Sequence, residues 1–117
     1  MNKFNQICND IKSIKIQGAT EVAKAGITAY FLNPSEKSRK ILISLRPTEP
    51  ALFNALHHVK SHSKKEIMNH FQISQEKINK NALKIIRNKK LIFTHCHSNT
   101  VNKALICAKK HKLNFQV

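Results

Sequence analysis

The residues best suited to chemistry sit in one short stretch, His95-Cys96-His97-Ser98. A cysteine thiolate is a nucleophile and an acid/base group, and a helix amino terminus beside it favours the anionic form. The plainer use of Cys96 is as a small residue filling a tight turn. Its histidine neighbours suggest a metal. Successive residues on an extended segment point to opposite faces, however, so His95, Cys96 and His97 would not converge readily on one ion. No metal or other cofactor is expected. His57, His58, His62, His70 and His111 read as surface residues. Away from this stretch, Arg46 lies between an apolar run and Pro47, where it could clamp a phosphate or pair with a carboxylate. Gly18-Ala19 opens a predicted helix whose first N–H groups could hold phosphate, or simply start the helix.

Helices must position most of these groups. Phe4, Ile7, Cys8, Ile11 and Ile14 recur at steps of three and four, an apolar helical stripe over 2–14. The segment 12–18 interrupts it and ends at Gly18, which tolerates backbone angles other residues avoid. A second helix is predicted over 19–32, burying Val22, Ala25, Ala29 and Leu32, with Asn33-Pro34 as its stop. Ser35 caps a third over 36–45 that carries Ile41, Leu42 and Leu45. Arg46-Pro47-Thr48-Glu49-Pro50 is a rigid turn, with Thr48 as the expected cap of a helix bearing Leu52, Phe53, Leu56 and Val59. Ser63-Lys64-Lys65-Glu66 has the capping-box pattern. It opens a long helix with Ile67, Phe71, Ile78, Ala82 and Ile85, and Gln72–Ser74 is a place where that helix could break.

From Leu91 the period changes. Leu91-Ile92-Phe93-Thr94 reads as a buried strand, 95–100 as a polar loop, Val101, Ala104, Leu105 and Ala108 as an amphipathic helix, and 113–117 as a second strand. Strand, loop, helix, strand is the first βαβ unit of a parallel sheet. The expected fold class is therefore α+β or α/β: a helical domain over 1–89, then the start of a Rossmann-like domain over 90–117. Cys96 would lie at the carboxyl end of a strand, where α/β sheets bind ligands. Two parallel strands and one helix leave a sheet face and two edges open, so the chain reads as truncated or split.

Composition bounds the classes. The chain has 117 residues, 41% of them hydrophobic, with two Gly and no Trp, which is too apolar and periodic for a disordered tail. Apolar runs fall short of the roughly 18–20 residues that span a bilayer, and the start MNKFNQICNDIK has no secretory pattern, so no membrane role is expected. Three cysteines (Cys8, Cys96, Cys107) make no disulfide framework and suit a reducing cytoplasm. The formal charge of +15 invites nucleic acid, yet only Arg39, Arg46 and Arg87 are arginine, the residue that contacts phosphate or guanine bidentately. Abundant Lys, Asn and Ile could equally reflect an AT-rich genome.

Three segments carry a family resemblance: DIKSIKIQGATEVAKAG (10–26), LRPTEPALFNAL (45–56) and IFTHCHSNTVNKAL (92–105). Their order resembles the translation initiation factor 2B alpha/beta/delta family, which also includes ribose-1,5-bisphosphate isomerase and methylthioribose-1-phosphate isomerase. The resemblance implies a helical amino-terminal domain, a Rossmann-like domain after it, and association as dimers or larger assemblies. It implies a sugar- or nucleotide-phosphate pocket drawn from Gly18, Ala19, Arg46, Cys96, His97 and Ser98. In the isomerases Cys96 would be catalytic, paired with a carboxylate far downstream, because aldose–ketose isomerisation needs an acid and a base. Here Asp10 is the only Asp and no Glu follows Glu76, and Gln17 stands where the isomerases carry an Arg. RPTEP and SIKIQGAT look more like archaeal-type initiation-factor homologues. The expected function is a binding or regulatory role in translation initiation, inactive as an enzyme in isolation. Its expected partners are further copies, a complementary α/β chain, or the alpha subunit of initiation factor 2. The alternative is a sugar-phosphate isomerase fragment completed by another chain.

Overall fold

The computed structural model describes residues 1–87 and 91–117, arranged as six helices: α1 (Lys3–Lys12), α2 (Ala19–Leu32), α3 (Glu36–Leu45), α4 (Pro50–His57), α5 (Lys64–Ile86) and α6 (Asn99–Lys110). The chain separates into two compact units, Met1–Asn69 and His70–Val117. The expected boundary between 89 and 90 lies outside the described residues.

In the first unit, α2 is the central element, packing most extensively on α4 and then on α1. Its sequence ATEVAKAGITAYFL is apolar around most of its circumference, as a helix covered on several sides must be. Ile11, Val22, Ile27, Leu42, Leu52 and Leu56 are completely buried. Each such side chain contributes about 1.5–3 kcal/mol relative to exposure. The expected face of α2 was too narrow: Ile27 and Tyr30 are buried, while Leu32 is 48% exposed. Gly26 is small for a reason, since a Cβ there would run into Leu52 Cδ1 of α4.

Caps set the ends. Asn2 accepts the Asn5 N–H at 2.8 Å to start α1, and Ser35 accepts the Ser38 N–H at 3.1 Å to start α3. The cap of α4 is Glu49 rather than Thr48, with Pro50 in the first turn. The capping box at α5 is formed: Ser63 N–H donates to Glu66 Oε1 and Glu66 N–H to Ser63 Oγ, both at 3.2 Å. Hydrogen bonding from the Ser63 backbone N–H and from its side chain holds the Glu66 carboxyl below its usual range. Beyond Gln72–Ser74 the helix continues without a break to Ile86.

The second unit has a small core of Ile86, Ala108 and Phe115, joined by Ala82, Leu83, Ile92, Leu105 and Leu113. Lys109 Nζ lies 4.1 Å from the Phe115 ring centroid and donates to the Phe115 carbonyl. Here the α/β expectation fails. Among the described residues there is no strand; the segments predicted as β meet only in an isolated parallel bridge, Leu91 with Gln116, where Ile92 N–H donates to Gln116 O at 2.7 Å. The physical reason is burial. Leu91 and Phe93 are 77% and 90% exposed, so the run 91–94 is not the buried strand that its composition suggested. Parallel pairing is stable when both sheet faces are covered, and a single pair of short segments is marginal. The described fold is helical, not Rossmann-like.

Candidate functional site

Gly18 is the N-cap of α2, at φ 86° and ψ 137°, a backbone conformation that L side chains rarely adopt. It gives the chain its turn into the helix and makes no side-chain cap. The Ala19, Thr20 and Glu21 amides at this end have no intrahelical acceptor, and Glu21 supplies a carboxylate in the same turn. Gln17 before them is exposed.

Arg46 closes α3 and has a structural task. Its Nη1 donates to the Ile11 carbonyl in the last turn of α1 at 3.4 Å, and Nη2 lies 3.9 Å from Glu49 Oε2. A cation at a helix carboxyl end complements the macrodipole. The guanidinium thus ties α1 to the α3–α4 turn, the carboxylate-paired alternative weighed for it, with an added carbonyl acceptor.

Cys96, His97 and Ser98 belong to the second unit. Ser98 is the N-cap of α6, its Oγ accepting the Val101 N–H at 3.3 Å. Cys96 is exposed and sits at φ 64°, and its Sγ lies 3.0 Å from His95 Nδ1. The positive φ breaks the alternation of an extended segment, so the argument that these neighbours must point apart does not hold for His95 and Cys96. A thiol and an imidazole in this contact can exchange a proton. His97 is exposed. Among the described residues no group of three His, Cys, Asp or Glu is placed to hold a metal ion. The other thiols differ: Cys8 is buried, which pushes its pKa up, and Cys107 is half-buried.

Gly18, Ala19 and Arg46 therefore fall in one unit and Cys96, His97 and Ser98 in the other. Residues 14–117 match the Initiation factor 2 subunit family. The chain belongs to that family. No curated protein and no solved structure matches it. All the candidate residues of this family member lie inside the matched span.

Sequence reasoning missed one polar cluster. Arg39 on α3 forks onto Glu36, with Nη2 2.8 Å from Oε1, and Lys60 reaches Glu36 Oε2 at 3.1 Å. The bonds from Arg39 and Lys60 hold Glu36 down at about 2. Arg39, Leu56, His57 and Lys60 line a cleft of ≈ 210 Å³ beside it. The spacing of Glu36 and Arg39 was a readable signal. The arrival of Lys60, 24 residues on, was not. In this family member no described helix is long and apolar enough to cross a membrane.

Proposed function

We propose that this chain acts in translation initiation as a binding or regulatory component, making protein contacts rather than turning over a substrate. The observation that carries the reading is the family match over residues 14–117. The local geometry is compatible with it. Arg46, which an isomerase-type pocket would need for phosphate, is spent on Ile11 and Glu49. Cys96 has an imidazole beside it, but the only Asp or Glu in its unit is Glu76, whose Oε1 already accepts from Gln72. The partner proposed is the alpha subunit of initiation factor 2, engaged by the helical unit Met1–Asn69, with self-association as a second mode of assembly.

The His95–Cys96 contact favours one further reading, a sugar-phosphate isomerase centre completed by another chain. Two assays separate the readings: co-purification with the alpha subunit, and turnover of ribose-1,5-bisphosphate, each with wild type and Cys96→Ser. The binding reading expects a complex that survives the substitution and no turnover. Turnover abolished by Cys96→Ser, with no complex formed, would replace it by the isomerase reading.

A further inference from the structure

Residues 70–117 carry ten Lys and Arg against one Glu, Glu76. Four of the ten, Lys77, Lys80, Lys84 and Arg87, follow one another at steps of three, four and three along α5 and into the turn just past its end, and all four are exposed. At about 100° per residue they fall within roughly 80° of helix circumference. Ala82 and Ile86, which pack in the core of this unit, project from the opposite side, and Leu83 packs at the edge of the stripe. The stripe is thus held facing outward by the packing behind it.

An ordinary solvated helix face mixes signs, because like charges three and four residues apart repel and weaken the helix. The first unit follows that rule, with five carboxylates among its eleven Lys and Arg. All five ion pairs of the described residues, those of Lys15, Lys24, Arg39, Arg46 and Lys60, lie in the first unit. Among the described residues none of the four stripe residues forms an ion pair. Glu76, the nearest carboxylate in sequence, accepts from Gln72 instead at 3.1 Å.

We propose that this stripe is a docking surface for the phosphodiester backbone of RNA. Its four charges cover about 15 Å along the helix axis at the usual rise per residue, a row that a run of phosphates complements charge for charge. Lysine predominates, and a point charge on a flexible stem suits phosphate contact without reading bases. No aromatic side chain interrupts the row between 77 and 87, so base stacking plays no part and recognition is independent of sequence.

The test is fluorescence anisotropy with a labelled 20-base-pair RNA duplex across a KCl series. Three forms of the 117-residue chain are compared: wild type, a stripe variant (Lys77→Gln, Lys80→Gln, Lys84→Gln, Arg87→Gln), and a control losing equal charge elsewhere (Lys3→Gln, Lys12→Gln, Lys37→Gln, Lys40→Gln). Far-UV circular dichroism checks that each is folded. For a duplex, four lost phosphate contacts should flatten the log K against log salt slope by about 3 to 4 and weaken binding at least about tenfold at low salt. The control should stay within about twofold of wild type. Equal weakening of both variants would overturn the proposal in favour of diffuse charge. So would competition by poly-glutamate as strong as by unlabelled RNA, which would make the stripe an acidic-protein surface. Failure of wild type to bind with any salt dependence would also overturn it.

Discussion

At the scale of single residues, backbone geometry decides more than side-chain chemistry. Gly18 holds φ 86° at the start of α2, where a Cβ is strained whatever space surrounds it. Gly18→Ala should cost about 1–3 kcal/mol of unfolding free energy, read from urea denaturation. An unchanged midpoint would show that the turn relaxes freely. Glu36 offers a pH signature. Its folded pKa of about 2 lies below the ordinary 4.5, so the Arg39 and Lys60 contacts stabilise the fold above pH 4.5. That contribution is lost as pH falls through the window from 4.5 to about 2. The difference in Tm between wild type and Glu36→Gln should therefore be greatest at neutral pH and vanish near pH 2. Some of this scale was legible beforehand. The demand at Gly18 follows from glycine's freedom, and the Ser63–Glu66 capping box follows from spacing. The left-handed turn at Cys96 was not legible, because a thiol-bearing residue gives no signal of positive φ, and that turn is what brings His95 against its sulfur.

At the scale of elements, periodicity located the helices better than their buried faces, and short apolar runs misled: Ile78 and Ile85, expected on the buried stripe of α5, are 42% and 71% exposed, and Ile86 is buried instead. The range 19–32 predicted for the second helix is the observed α2. Phe4, Cys8 and Ile11 are buried as their spacing required, whereas Ile14 lies past the end of α1, at φ 62° and 54% exposed. The run Leu91–Thr94 was ambiguous in principle, because four apolar residues have no period to read. What decides such a run is the number of surfaces available to cover it, a property of neighbours rather than of the run. Among the described residues only one bridge forms, and Phe93 stays exposed. The tightest helix contact was equally hidden: nothing in the α2 sequence says that Gly26 meets Leu52. Leu52 is completely buried, so a larger side chain at 26 has no slack to use. Gly26→Val should overpack the α2–α4 contact and lower stability by about 1–3 kcal/mol. A second substitution, Leu52→Ala, should recover part of that loss in a double-mutant cycle, and strict additivity of the two would deny the contact.

At the scale of the whole molecule, charge and lineage carry the account. The formal charge of +15 is unevenly matched by carboxylates, with the ion pairs of the described residues confined to the first unit and the outward stripe of α5 in the second. Family membership rests on residues 14–117; of the motifs that suggested it, those around Arg46 and Cys96 lie wholly in that span and the one around Gly18 lies in it from Ile14 on. The helical unit Met1–Asn69 has its own buried core and a set of locked turns, which suits a preorganised binding surface. The partner proposed for this unit is the alpha subunit of initiation factor 2. Hydrogen–deuterium exchange of the full chain with and without that subunit tests the proposal directly. Slowed exchange is expected on the exposed faces of α2 to α4 when the subunit is added, identical in Cys96→Ser. Exchange unaltered by the subunit, together with protection of residues 95–98 by ribose-1,5-bisphosphate, would contradict the proposal.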